Sequence, residues 1–200
     1  MKQTLYILIF SLLIFSLLIF SLLIFSLLIF SCKKEKKTEQ VFEKFVIDKN
    51  LPQNDTIKLL SKYPELKLYR TDVNESKSRT AYIVQESTIW NMSGRFDNYK
   101  CKTNLKDDTL NISLNNNNKQ FGNGALVKVF NGNFFIKDYD PKTLKGEDKF
   151  IPAKAIYQKL VLNKDKFKKN DSIYGFIDYK SLLDDDVKKT FRGYFRAVIK

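Results

Sequence analysis

Three patterns follow one another along this chain of 200 residues. From Leu5 to Phe30 the sequence is apolar and broken only by serines. From Lys33 to Gln40 it is polar and charged, without large apolar side chains, which is the composition of a flexible tether. Beyond residue 40 apolar and polar positions interleave. Val41, Phe42, Phe45 and Val46 fall on one helical face and predict a short helix. A second helix is expected over Thr56 to Tyr63, with Asp55 as N-cap and Pro64 as stop.

From about residue 66 the period changes to two, the spacing at which successive side chains point to opposite faces of a sheet. Thr80 to Gln85 is one such run. Leu110, Ile112 and Leu114 alternate with polar residues before an Asn-rich turn at 115–118. Ala125 to Phe130 and Asn133 to Tyr139 flank Asn131-Gly132, a strong hairpin signal because both residues tolerate positive φ. Ala155 to Leu162 is a further run. Ile173, Ile177 and Tyr179 share a face with Gly175. Phe191, Phe195, Ala197 and Ile199 point one way, and Arg192 and Arg196 the other. The expected fold class is mainly β: an antiparallel sandwich or barrel-like domain over 41–200, with one or two short N-terminal helices.

The apolar run contains Ser-Leu-Leu-Ile-Phe four times, starting at Ser11, Ser16, Ser21 and Ser26. Five residues advance a helix by about 140° beyond a full turn, so the serines spiral and form no pairing stripe. The repeat therefore supplies bulk apolarity. Lys2 precedes the run, and Ile29-Phe30-Ser31-Cys32 closes it just before Lys33-Lys34-Glu35-Lys36-Lys37. A positive start, an apolar middle and a small residue at the boundary are the parts of a secretory signal. Over residues 1–32 the chain resembles a bacterial lipoprotein signal peptide, with Ile29, Ser31 and Cys32 matching the lipobox and Phe30 departing from its small residue. The resemblance implies a hydrophobic signal helix removed as residues 1–31, a diacylglycerol thioether on Cys32, and a tether over 32–40. Several acyl chains hold a protein at a bilayer where one is marginal. The same run is also long enough to remain as a transmembrane helix. Its 26 residues at about 1.5 Å each reach roughly 39 Å, against a hydrocarbon core of about 30 Å. The lysines after Cys32 would then stay in the cytoplasm.

Composition narrows the chemistry. The chain holds no histidine, which removes Ser-His-Asp and Cys-His catalysis and the usual zinc sites. With Cys32 acylated, Cys101 has no intrachain partner. Disulfides then contribute nothing, and Cys101 reads as a small core residue. Net charge is +13; without Met1 to Ser31, which carry only Lys2, it is 34 − 22 = +12. The lysines are scattered among acids, the pattern of a solvated surface, and no nucleic-acid partner is expected.

Candidate sites are few. Asp184-Asp185-Asp186 is a carboxylate run that fits no calcium loop. Asp138, Asp140, Glu147 and Asp148 surround Pro141 and Gly146 without the order of an EF-hand loop. Gly122-Asn123-Gly124 reads as a turn before a strand, not a phosphate loop. Tyrosines and Trp90 can stack on sugars, and Arg192 and Arg196 can hold acidic groups. Asp55-Thr56-Ile57, Asp108-Thr109-Leu110 and Asp171-Ser172-Ile173 resemble the O-glycosylation acceptor of exported proteins in some Gram-negative bacteria. They equally suit a turn residue leading a capped element.

Together these features lead to the expectation of an envelope lipoprotein that binds a glycan, lipid or protein without catalysis, without cofactor or metal. A surface hydrolase using carboxylates, or an immunity-type protein binder, are the alternatives. Lysine rather than aspartate after the anchor favours the outer membrane over the inner.

Overall fold

The computed structural model of the chain describes residues 13–14, 16–17, 19–20, 40–67, 76–89, 92–117, 122–140, 149–183 and 187–200. The chain divides into two units, Met1–Lys37 and Thr38–Lys200. In the first unit Leu13, Ile14, Ser16, Leu17, Ile19 and Phe20 are helical and exposed. Among the described residues no helix is long and apolar enough to cross a membrane.

The second unit is mainly β and built of two sheets. One sheet has the order β1 (Glu43–Lys44), β8 (Asn133–Asp140), β7 (Gly124–Phe130), β6 (Thr109–Asn115), β5 (Lys100–Lys106), with β9 (Lys149–Phe150) also on β8. The other runs β2 (Val46–Ile47), β10 (Ala153–Leu162), β11 (Ser172–Leu183), β12 (Val187–Val198), β3 (Ala81–Ile89), β4 (Met92–Phe96). Every pairing is antiparallel except β2 with β10. Tight turns set the registers. Asn131 and Gly132 take φ of 47° and 75°, and Asp107 and Asp108 take 48° and 58°, the left-handed pairs that match strand twist in two-residue hairpins. Asn163 Oδ1 and Asp171 O likewise accept from the backbone of Tyr174 and Ile199 at the ends of β11 and β12.

The helix expected over 41–46 does not form. Those residues give β1 and β2, a split strand whose halves join different sheets, so edge pairing with β8 and β10 overrides the local helical spacing. The second helix does form, as α1 (Asp55–Lys62) after a 3-10 turn at Leu51–Gln53. Its cap is Asn54 rather than Asp55. The Asn54 side chain accepts from Thr56 N at 3.0 Å and Ile57 N at 3.4 Å. Leu51, Ile57 and Leu60 are buried, and α1 packs on β12 and β3.

One core cluster draws inward-facing residues from both sheets. Cross-strand register arranges the second sheet's inner face in rows: Leu162, Gly175, Phe195, Ala81; then Leu160, Ile177, Gly193, Ile83; then Gln158, Tyr179, Phe191, Gln85; then Ser181, Lys189, Ser87. Polarity rises along these rows. In the first row the Phe195 ring lies over Gly175, where a Cβ would come within 2.1 Å of its Cζ. The facing sheet contributes Leu110, Ile112, Leu114, Ala125, Val127, Val129, Phe134 and Ile136, with Asp138 in the row of Ala125 and Leu114. Two polar features follow: a cleft at the seam between the sheets, and a cluster inside the polar end.

Candidate functional site

The cleft lies where β5, the edge of the first sheet, meets the ends of β11 and β12. Strand β5 supplies Lys100, Cys101, Lys102 and Thr103; β11 supplies Ser172 and Tyr174; β12 and the residues after it supply Arg196 and Lys200. Glu65, Ser76 and Thr80 complete the wall around a volume of about 310 Å³. That is at the small end of the range for ligand sites, about 300–1,000 Å³.

A hydrogen-bonded chain fixes its floor. Glu65 is buried, and its Oε2 accepts from Thr80 Oγ1 at 2.6 Å while its Oε1 accepts from Leu66 N at 2.9 Å. Thr80 Oγ1 in turn accepts from Cys101 N at 3.0 Å, which ties the floor to β5. Thr103 Oγ1 donates to Val198 O at 2.9 Å, and Arg196 Nη1 reaches Ser78 Oγ at 3.3 Å. Among the described lining residues, Lys100, Lys102, Arg196 and Lys200 stand with Glu65 around a wall rich in hydroxyls. Such a wall attracts an anion by charge and orients it by hydroxyl contacts.

Cys101 is buried and forms no disulfide, the small core residue expected of it. Burial, then the nearby Glu65 charge, push its thiol well above the ordinary range. A thiol held protonated is a poor nucleophile.

The interior cluster is of a different kind. The side chains of Lys189 and Asp138 are 1 % and 0 % exposed, and Nζ lies 2.6 Å from Oδ1. Asp138 Oδ2 accepts from Tyr179 OH at 2.7 Å. Lys189 Nζ also donates to Asn123 Oδ1 at 2.9 Å and to Gly124 O at 3.3 Å. Phe191 packs 5.6 Å from the same nitrogen, and Tyr99 meets Phe191 edge-on with ring centres 4.8 Å apart. Tyr99 OH donates to Gln85 Oε1. Burial first, and then the Asp138 charge, raise both Tyr99 and Tyr179 well above a free phenol. For Tyr179 the hydrogen bond to Asp138 adds to the rise, and the adjacent Ser181 hydroxyl opposes it.

The residues singled out from sequence are dispersed. Asp138 turns inward to Lys189, while Asp140 stays half-buried at the end of β8 opposite Lys149. Arg196 lines the cleft, but Arg192 stands 3.6 Å from Asp178 and rests on the Phe176 ring. The three Asp-Ser/Thr sequences occur at the start of α1, at the β5–β6 turn and at the start of β11. Cys32 with Ile29 and Ser31, Trp90, Asp184, Asp185, Asp186, Pro141, Gly146, Glu147 and Asp148 lie outside the described residues. Among the described residues no three metal-binding side chains come together. Neither Lys189 nor Glu65 was a candidate from sequence. Lys189 was legible in principle, because it shares the parity of Phe191 and Phe195. Compared with protein-family models, curated proteins and solved structures, the chain matches none.

Proposed function

We propose that this chain is a cell-envelope lipoprotein, acylated on Cys32, whose β-domain binds an acidic glycan without transforming it. The observation that carries the binding half is the seam cleft. Lys100, Lys102, Arg196 and Lys200 surround a space of about 310 Å³ whose wall also offers Ser76, Ser172 and the Tyr174 ring. Cations select carboxylate or phosphate groups, hydroxyls match sugar hydroxyls, and an aromatic ring suits a sugar face. The anchoring half rests on the cysteine placed where apolar sequence gives way to charge, and the lysine that follows it favours the outer membrane. The hydrolase alternative has less support. Among the described residues both buried carboxylates are already engaged, Asp138 by Lys189 and Tyr179, Glu65 by Thr80 and the Leu66 amide.

The binding test is calorimetry of the full chain in detergent with a uronic-acid oligosaccharide and with a neutral oligosaccharide of equal length. The acidic sugar should bind and weaken with salt, as contacts with a charged rim do. Reversing charge with Lys100→Glu and Arg196→Glu together should weaken it at least about tenfold, the equivalent of about 1.4 kcal/mol. Equal heats for the two sugars, or an affinity indifferent to the double reversal, would contradict the reading.

A further inference from the structure

The interior cluster brings together the parts of a self-forming cross-link. We propose that Lys189 and Asn123 join through an isopeptide bond between Nζ and Cγ, with Asp138 as the proton acceptor, tying β12 to the entry of β7 across the sandwich.

Three observations carry this. Lys189 Nζ donates to Oδ1 of Asn123 at 2.9 Å, the oxygen bonded to the carbon it would attack, so amine and amide are already held together. Asp138 Oδ1 stands 2.6 Å from the same nitrogen, and its other oxygen is held by Tyr179 OH. Gly124 O, at 3.3 Å, takes a third hydrogen bond from Nζ and holds it on the Asn123 side. The surroundings are the Phe191 ring and the inner faces of both sheets, where water does not compete. Asn123 itself is only half-buried, which leaves the departing group a route to solvent.

The step balances with no added reactant. The Lys189 ammonium gives one proton to Asp138, which becomes a neutral acid. The freed amine lone pair attacks Cγ of Asn123, forming the C–N bond. The Cγ–Nδ2 bond then breaks, and Nδ2 leaves as ammonia carrying a second proton from the amine nitrogen. Nothing is oxidised or reduced. The product is a secondary amide, a neutral Asp138 and one ammonia. The thermodynamic direction is set by burial. Two charges taken out of water are costly to keep and add little stability over apolar side chains. The reaction replaces that pair by two neutral groups that can hydrogen-bond to each other.

The test is peptide mapping of the full chain, denatured and digested with trypsin. The expected product is Gln120–Lys128 joined to Lys189–Arg192 at their summed mass less one ammonia, with the bond after Lys189 uncut. Asn123→Ala, a change at a half-buried turn, should abolish the joined peptide and restore cleavage after Lys189. Asp138→Asn should abolish it with both joined residues still present. Separate linear peptides from the natural chain would overturn the proposal. So would a succinimide at Asn123-Gly124, which loses the same ammonia but leaves the peptides apart. A link from Lys189 to the peptide holding Asp138, with loss of water, would overturn the assignment to Asn123.

Discussion

At the scale of single residues, burial controls the chemistry. Cys101, Tyr99 and Tyr179 are all raised above the ordinary values of 9.0 and 10.0, so each stays protonated longer when folded than when unfolded. Their contribution to stability is therefore complete below those ordinary values. It drains away as pH rises above them toward the folded values. Denaturant midpoints should fall steadily between about pH 8.5 and pH 11; a rising midpoint over that window would contradict the burial described. Native Cys101 should also resist alkylation near pH 8 and react fully once unfolded. Gly175 is constrained by shape. An alanine there would drive its Cβ into the Phe195 ring, and overpacking of this kind costs about 1–3 kcal/mol. Urea denaturation of Gly175→Ala measures it. At the other end of the core, Lys189→Ala removes the ammonium that faces Asp138 and leaves that buried carboxylate with only Tyr179, a loss of about 3–5 kcal/mol in the same measurement relative to the unlinked chain carrying Asn123→Ala.

At the scale of elements, local chemistry was readable wherever one residue type forces one geometry. Asn131-Gly132 made a hairpin because both residues accept positive φ. The alternation of Leu110, Ile112 and Leu114 placed β6, and that of Phe191 and Phe195 placed β12. The element boundary at α1 was off by one position because Asp55 and Asn54 both suit a cap, and the hydrogen bonds select Asn54. Asn54→Ala should cost about 1 kcal/mol by equilibrium unfolding, whereas Asp55→Ala should cost little. Residues 41–46 were misread because a helical face and two edge-strand fragments use the same apolar residues, and only the partners on β8 and β10 decide between them. Strands β4 and β5 were not picked out as such. Met92, Ser93, Arg95 and Phe96 of β4 are all exposed, so no alternation marks it, and Lys102, Asn104 and Lys106 of β5 alternate with only two buried residues, Cys101 and Thr103.

At the scale of the whole molecule, a basic chain without histidine folds into two sheets with a charged seam and a polar interior end. Neither feature could be read along the chain. The cleft draws on β5, β11, β12 and on Glu65, Ser76 and Thr80, and the interior cluster on β7, β8, β11 and β12, so both exist only once topology is set. Fold class was legible because it needs only period and turns; the site was not, because it needs long-range partners.

The anchoring of this domain is the claim from which its location and partners follow, and metabolic labelling with an alkyne fatty acid tests it most directly. The natural chain should take up label and partition into detergent, and Cys32→Ala should take up none. Equal labelling of both, or an unlabelled natural chain retaining Met1, would contradict the account.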